Sequence, residues 1–182
     1  MDVGDGGDGD DDDEGDLPGQ PHHISSFDEA KFRQVLGHFP TGVVVITAVN
    51  DGEPAGLAIG SFASVSLDPP LVGFFPGRTS SSWPHIEKAG YFCVNVLSEH
   101  QEDICRIFAT RGTDKFASIG WKRGRTGAPI LHDVLAWVEC SIERIEEAGD
   151  HWFVLGRVID LEVMHEGSPL IFFRGGYGRY EI

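Results

Sequence analysis

Cysteine is scarce in this chain of 182 residues: Cys93, Cys105 and Cys140 are odd in number, widely spaced and form no CxxC pair. That excludes a disulfide framework and a cysteine-based zinc site, and leaves three small hydrophobes of a reducing compartment. Positive charge is also short. Fourteen Lys and Arg stand against 29 Asp and Glu, a net charge of -15, the opposite of what a nucleic-acid binder needs. No apolar run approaches the roughly 18 residues of a membrane helix. The N-terminus has neither the basic flank nor the apolar core of a signal peptide, so a cytoplasmic protein without a membrane partner is expected. The common catalytic signatures are missing too. There is no GxGxxG opening a helix, no GxxxxGK[ST] phosphate loop and no GxSxG elbow. His165-Glu166 lacks the second histidine of HExxH, and the eight histidines are scattered, so no metal site is expected. If the chain is an enzyme, a bound organic cofactor must carry the demanding step.

What is present divides unevenly. Residues 1–16 hold nine of the acidic residues and no Lys or Arg, leaving 20 acidic against 14 basic in the remainder. Gly and Asp of low complexity cannot bury a core, so residues 1–25 are expected to be a disordered acidic tail and residues 26–182 one folded domain. Order is expected to start at a capping box of Ser26 and Glu29, ahead of Phe32, Val35, Leu36 and Phe39 at helical spacing. Pro40 stops that helix.

Strand signals then dominate. The β-branched run 42–49, the stretch PAGLAIGSFASVS (54–66), Leu71–Phe75 and YFCVNVL (91–97) each read as one strand. Two longer strands follow, LAWVECSIERI (135–145) and HWFVLGRVIDLEV (151–163), with SPLIFFRGGYGRY (168–180) last. In the first of these, Ala136, Val138, Cys140 and Ile142 lie on one face and Trp137, Glu139, Ser141 and Glu143 on the other. Short helices are expected at SSSWPHIEKAG (80–90) and EHQEDICRIFAT (99–110). Six or seven strands against three short helices make a mostly antiparallel sheet, closed toward a barrel.

One stretch is unusual for a strand. In SFASVSLDPPLV (61–72), Ser61, Ser64 and Ser66 are short where a wet face normally carries long charged side chains. Short hydroxyls and the in-strand Gly56 and Gly60 suggest the close approach of another body. Asp68-Pro69-Pro70 is read as a turn.

Taken together, TGVVVITA (41–48), GLAIGSFASVSLDPPLV (56–72), FCVNVL (92–97), Lys115-Phe116, GAPIL (127–131) and GDH (149–151) resemble the flavin reductase-like family. These are the small reductase components of two-component flavin-dependent monooxygenases. The resemblance implies a six-stranded antiparallel split β-barrel of Greek-key order with a few flanking helices. It implies a homodimer with FMN or FAD near the interface, NADH or NADPH as hydride donor, and a separate monooxygenase acting on an aromatic or steroid-derived compound. By the resemblance, Gly56, Leu57, Ala58, Gly60 and Ser61 line the flavin ring and ribityl chain. Phe75, Pro76 and Gly77 lead into Ser81 and Ser82, whose hydroxyls and the following amides are expected to meet the flavin phosphate, with Arg78 adding charge. Thr41 and Phe116 are further cofactor contacts, and Tyr177 is expected to close over the pocket. His151 stands where the family meets the nicotinamide and is the one catalytic candidate. The apolar strands YFCVNVL and LIFF are compatible with dimerisation.

Two rivals remain at this stage. A flavin carrier or redox sensor would use the same fold without turnover, and GDH weighs against it. An oxidase like the pyridoxamine phosphate oxidase group would need a basic pocket for a phosphorylated substrate, and no suitable Arg or Lys cluster is evident.

Overall fold

The computed structural model describes residues 28–112 and 114–180. The expected tail and the Ser26 cap lie outside them. The first helix, α1 (Glu29–Leu36), is capped by Asp28, whose carboxylate accepts from the Ala30 N–H at 2.9 Å. Its apolar face does not enter a core. Every residue of α1 is exposed, Phe32, Val35 and Leu36 included, so helical spacing identified the element without implying a buried face.

The chain then forms β1 (Thr41–Gly42), β2 (Val44–Asn50), β3 (Glu53–Ile59), β4 (Ala63–Leu67), β5 (Pro70–Phe74), α2 (Trp83–Ala89), β6 (Tyr91–Val96) and α3 (Glu102–Ala109). After these come β7 (Trp121–Arg123), β8 (Pro129–Leu131), β9 (Ala136–Ala148), β10 (His151–Val163), β11 (Leu170–Phe173) and β12 (Gly176–Arg179). The single strand expected over 54–66 is two strands, because Gly60–Phe62 leaves the ladder and β4 turns back on β5 through the Asp68–Pro69–Pro70 turn. The small β7–β8 hairpin had no strong pattern and was not foreseen.

Seven strands make one antiparallel sheet in the order β3-β2-β6-β9-β10-β5-β4. Its two edges, β3 and β4, are consecutive in the chain. Laid flat, six inter-strand spacings would separate those edges by about 29 Å, whereas the four steps from Ile59 to Ala63 span at most about 14 Å. The sheet must therefore curl until its edges nearly meet. The result is a mostly β, split barrel whose seam falls at Gly60–Phe62, with β1, β11 and β12 as a separate sheet beside it.

The interior is filled by Val44, Ile46, Phe74, Phe92, Val94 and Val154, all buried, with Trp83 and Ile86 of α2 over one end. A second cluster of Val43, Val45, Leu97, Cys105, Phe108 and Phe116 lies on the other side of β2, under α3. β6 is thus central and mostly buried, which removes YFCVNVL as a dimer surface. The face of β9 that carries Glu139 is covered as well: Trp137 and Glu139 are buried. The Glu139 carboxylate accepts from Arg125 N at 2.7 Å, Thr126 N at 2.8 Å and the Thr126 hydroxyl. A buried carboxyl group with three donors anchors the β7–β8 turn.

Candidate active site

The outer end of β3, the segment 75–82 and the chain leaving α3 form three walls around two adjoining cavities of about 630 and 380 Å³. Both volumes lie in the range of small-molecule sites. Lys115 holds the walls together. Its Nζ donates to Gly56 O at 3.2 Å, Ser82 Oγ at 3.2 Å and Phe108 O at 2.9 Å, one acceptor on each wall. Burial of the ammonium, 9% exposed, lowers its pKa from the usual 10.5. Arg111 adds a second tie, donating to Thr79 Oγ1 at 3.0 Å.

The serine run divides its work. Ser80 Oγ accepts from Trp83 N at 3.3 Å and so ties down the first turn of α2, while the Ser82 hydroxyl is taken by Lys115. Ser81, exposed, lines both cavities. Two cations, Arg111 and Lys115, therefore stand among the hydroxyls of Thr79, Ser80, Ser81 and Ser82 along the cleft. Donors and positive charges in this arrangement suit a phosphate.

His151 is brought to the same cleft by β-type pairing. Trp152 N donates to Pro76 O and Arg78 N to Asp150 O, both at 2.9 Å, so the segment 76–78 runs along the start of β10. Gly149 supplies the left-handed turn (φ 64°) that lets the hairpin reverse there. The His151 ring lies over Gly77, and its Nδ1 is 2.8 Å from Asp150 Oδ1. That hydrogen bond holds the Asp150 carboxyl below its ordinary pKa and leaves Nε2 as the free edge.

Most expected site residues meet here. Gly56, Phe116, Ser81 and Ser82 line the larger cavity, while Leu57, Ala58, Gly60, Ser61, Phe75, Gly77 and His151 line the smaller. Their reasons differ from those read in the sequence. A Cβ on Gly56 would stand 2.6 Å from the Phe108 ring, so that glycine serves the packing of α3 on β3. Ser61 Oγ accepts from Phe75 N at 3.1 Å, pinning the seam to the end of β5. Thr41 sits behind Gly60, Pro76 is buried, and neither belongs to the cavity walls.

Tyr177 is also set away from the cleft. Its hydroxyl lies 3.3 Å from Cys105 Sγ, and the Arg106 guanidinium covers its ring at 5.0 Å. Burial first, then the cysteine contact, pushes its pKa up to about 12. Arg78 turns outward over Trp152 and toward Glu147, so the charge expected of it comes from Arg111 and Lys115 instead. Arg111 had no motif to announce it, and Lys115 was singled out only as the neighbour of Phe116. Among the described residues no cluster of three metal-ligating side chains is found, and no helix is long and apolar enough to cross a membrane.

Small residues at Ala58 and Gly60, the aromatic Phe75 on the lip and the cation–hydroxyl row fit a planar heterocycle carrying a phosphate. Comparison with known proteins points the same way. Residues 36–181 match the family described as the flavin reductase like domain. The chain is 50% identical over 157 residues to a flavin reductase of Pseudomonas putida, covering 86% of this chain and 92% of that one. It is also 50% identical over 152 residues to the reductase subunit of a flavin-dependent monooxygenase of Rhodococcus jostii, covering 84% and 78%. Among solved structures, an NADH:FAD oxidoreductase of Streptomyces globisporus in complex with NAD and FAD fragments superimposes with a TM-score of 0.80 at 37% identity, covering 85% and 93%.

Proposed function

The chain belongs to the flavin reductase-like domain family, and from that premise we propose that it is an NAD(P)H:flavin oxidoreductase whose reduced flavin serves a separate flavin-dependent monooxygenase. When bound, the flavin supplies the ring that accepts a hydride, two electrons and a proton, from the dihydronicotinamide. Everything else falls to the chain's own residues. Arg111, Lys115 and the hydroxyls of 79–82 bind the flavin phosphate, the small residues of β3 seat the ring, and His151 orients the nicotinamide through Nε2. Transfer between two stacked rings depends on their separation and alignment, so positioning outweighs acid or base chemistry.

The observation that carries this reading is the junction at His151. Its ring lines both the flavin cleft and a second, adjoining cavity bounded by α1, as a residue between two ring ligands must. The test is oxidation of NADH and NADPH at 340 nm with and without added FMN and FAD. Turnover that needs added flavin is expected. Flavin binding without turnover would favour the carrier or sensor. The homodimer is part of the proposal: Leu67 on β4 and Leu161 and Val163 on β10 are strongly exposed apolar side chains where β10 runs on past β5, and they form its natural contact.

A further inference from the structure

Between Asp114 and Asp133 the chain holds four bases, Lys115, Lys122, Arg123 and Arg125, and no acid. Lys115 is buried in the cleft wall, and the other three are exposed on the β7–β8 hairpin. Elsewhere on the surface cations stand beside carboxylates, as Arg78 does beside Glu147, Lys88 beside Asp51 and Arg157 beside Glu143. Lys122, Arg123 and Arg125 have no ion pair among the described residues. The hairpin that presents them is stiff. Gly124 N donates to Ala128 O at 2.9 Å, and Gly127 takes the left-handed turn at φ 89°. Arg125 N and Thr126 N donate to the Glu139 carboxyl group at 2.7 and 2.8 Å, and Trp121 stands against Phe116 with ring centroids 6.1 Å apart. An anion arriving at this turn therefore meets side-chain cations, because the two amides are already taken. Three like charges on a fixed turn repel one another, and an opposite charge brought to them relieves that repulsion.

The N-terminal segment of the same chain has the complementary charge. Residues 1–16 hold nine acids and no base, with Asp10, Asp11, Asp12, Asp13 and Glu14 consecutive. The described chain starts at Asp28, and the twelve steps back to Asp16 span at most about 43 Å, against a diameter of roughly 40 Å for a compact domain of this size. We propose that the β7–β8 hairpin is the docking surface for this acidic segment, with Asp10 to Glu14 lying across Lys122, Arg123 and Arg125. Exposed ion pairs are individually weak, but covalent connection keeps the segment at a high effective concentration, so several weak pairs act together. The contact is screened by salt. While it lasts, the hairpin is closed to other polyanions.

The test uses carbodiimide, which joins an amine to a carboxylate in direct contact, followed by peptide mass spectrometry of the unmodified protein. At roughly 20 mM salt, Lys122 should couple to residues 1–16 with at least about threefold the yield of Lys31, which is nearer to them in sequence. Roughly 0.5 M salt should remove the preference. Heparin, a soluble polyanion, gives an independent reading. The full chain carrying D10N, D11N, D12N, D13N and E14Q should bind heparin about tenfold more tightly than the unmodified protein. Adding R123E with R125E should abolish that gain, whereas the same reversal at two other exposed cations, K31E with R174E, should leave most of it. The coupling needs no variant, so folding is not at stake in it. A yield at Lys122 no greater than at Lys31 would overturn the proposal. Equal heparin affinity of the unmodified and neutralised chains would do the same, as would equal loss from the two charge reversals, which would reduce the effect to net charge.

Discussion

A single amino group joins β3, the start of α2 and the end of α3 across the cleft, and in the proposed function the same group supplies charge to the flavin phosphate. In Lys115→Met the three acceptors stay and the charge goes, and loss of a positive charge beside the phosphate should weaken flavin binding by about ten- to a hundredfold, read by fluorescence titration. The pH dependence has a definite sign. Burial depresses the folded-state pKa below the usual 10.5, so between the two values the unfolded chain holds more protons, and Lys115 adds to stability as pH rises through that window. Denaturation of the unmodified protein minus that of Lys115→Met, followed from pH 8 to 10.5, should show that rise. For His151→Ala, the KM for NADH should increase at least about tenfold while flavin affinity is kept; equal loss of both would place the ring in flavin binding instead. His151 was legible because its position in GDH carried a resemblance. Arg111 was not, since an arginine at a helix end looks the same whether it meets solvent or a phosphate.

At the level of elements, the strand signals located the segments of the main sheet, with β3 and β4 merged into one, and did not show what covers them. In β9 the turn after β7 supplies donors enough to bury the Glu139 carboxyl group, and sequence spacing does not show a donor that comes from another part of the chain. The break between β3 and β4 was hidden by small residues, which suit a strand and a seam equally. Gly156 in β10 was read only as part of a strand. A Cβ there would lie 2.5 Å from Phe92 Cζ and 3.2 Å from Cys140 Cβ, and Phe92 is fully buried. Gly156→Ala should therefore cost about 1–3 kcal/mol by overpacking, a fall in Tm of roughly 2–4 °C per kcal/mol, without altering the cleft chemistry.

Across the whole molecule, a curled seven-stranded sheet leaves apolar side chains at Leu67, Leu161 and Val163 facing outward, which a second copy would cover. Sedimentation should give a dimer, and Leu161→Asp with Val163→Asp should give monomers. A monomeric parent protein would count against that face. The strand order has another effect, on how the chain is made. β5 and β6 are close in sequence, yet the sheet sets them apart and slots the β9–β10 hairpin between them. Until residue 163 has left the ribosome, β3-β2-β6 and β4-β5 are separate ribbons, each with an unsatisfied edge. The nascent chain passes through a long interval in which its exposed edges can pair with neighbours, so slow translation or heavy expression at high temperature should favour inclusion bodies, and the β9–β10 hairpin is the one that removes both edges at once.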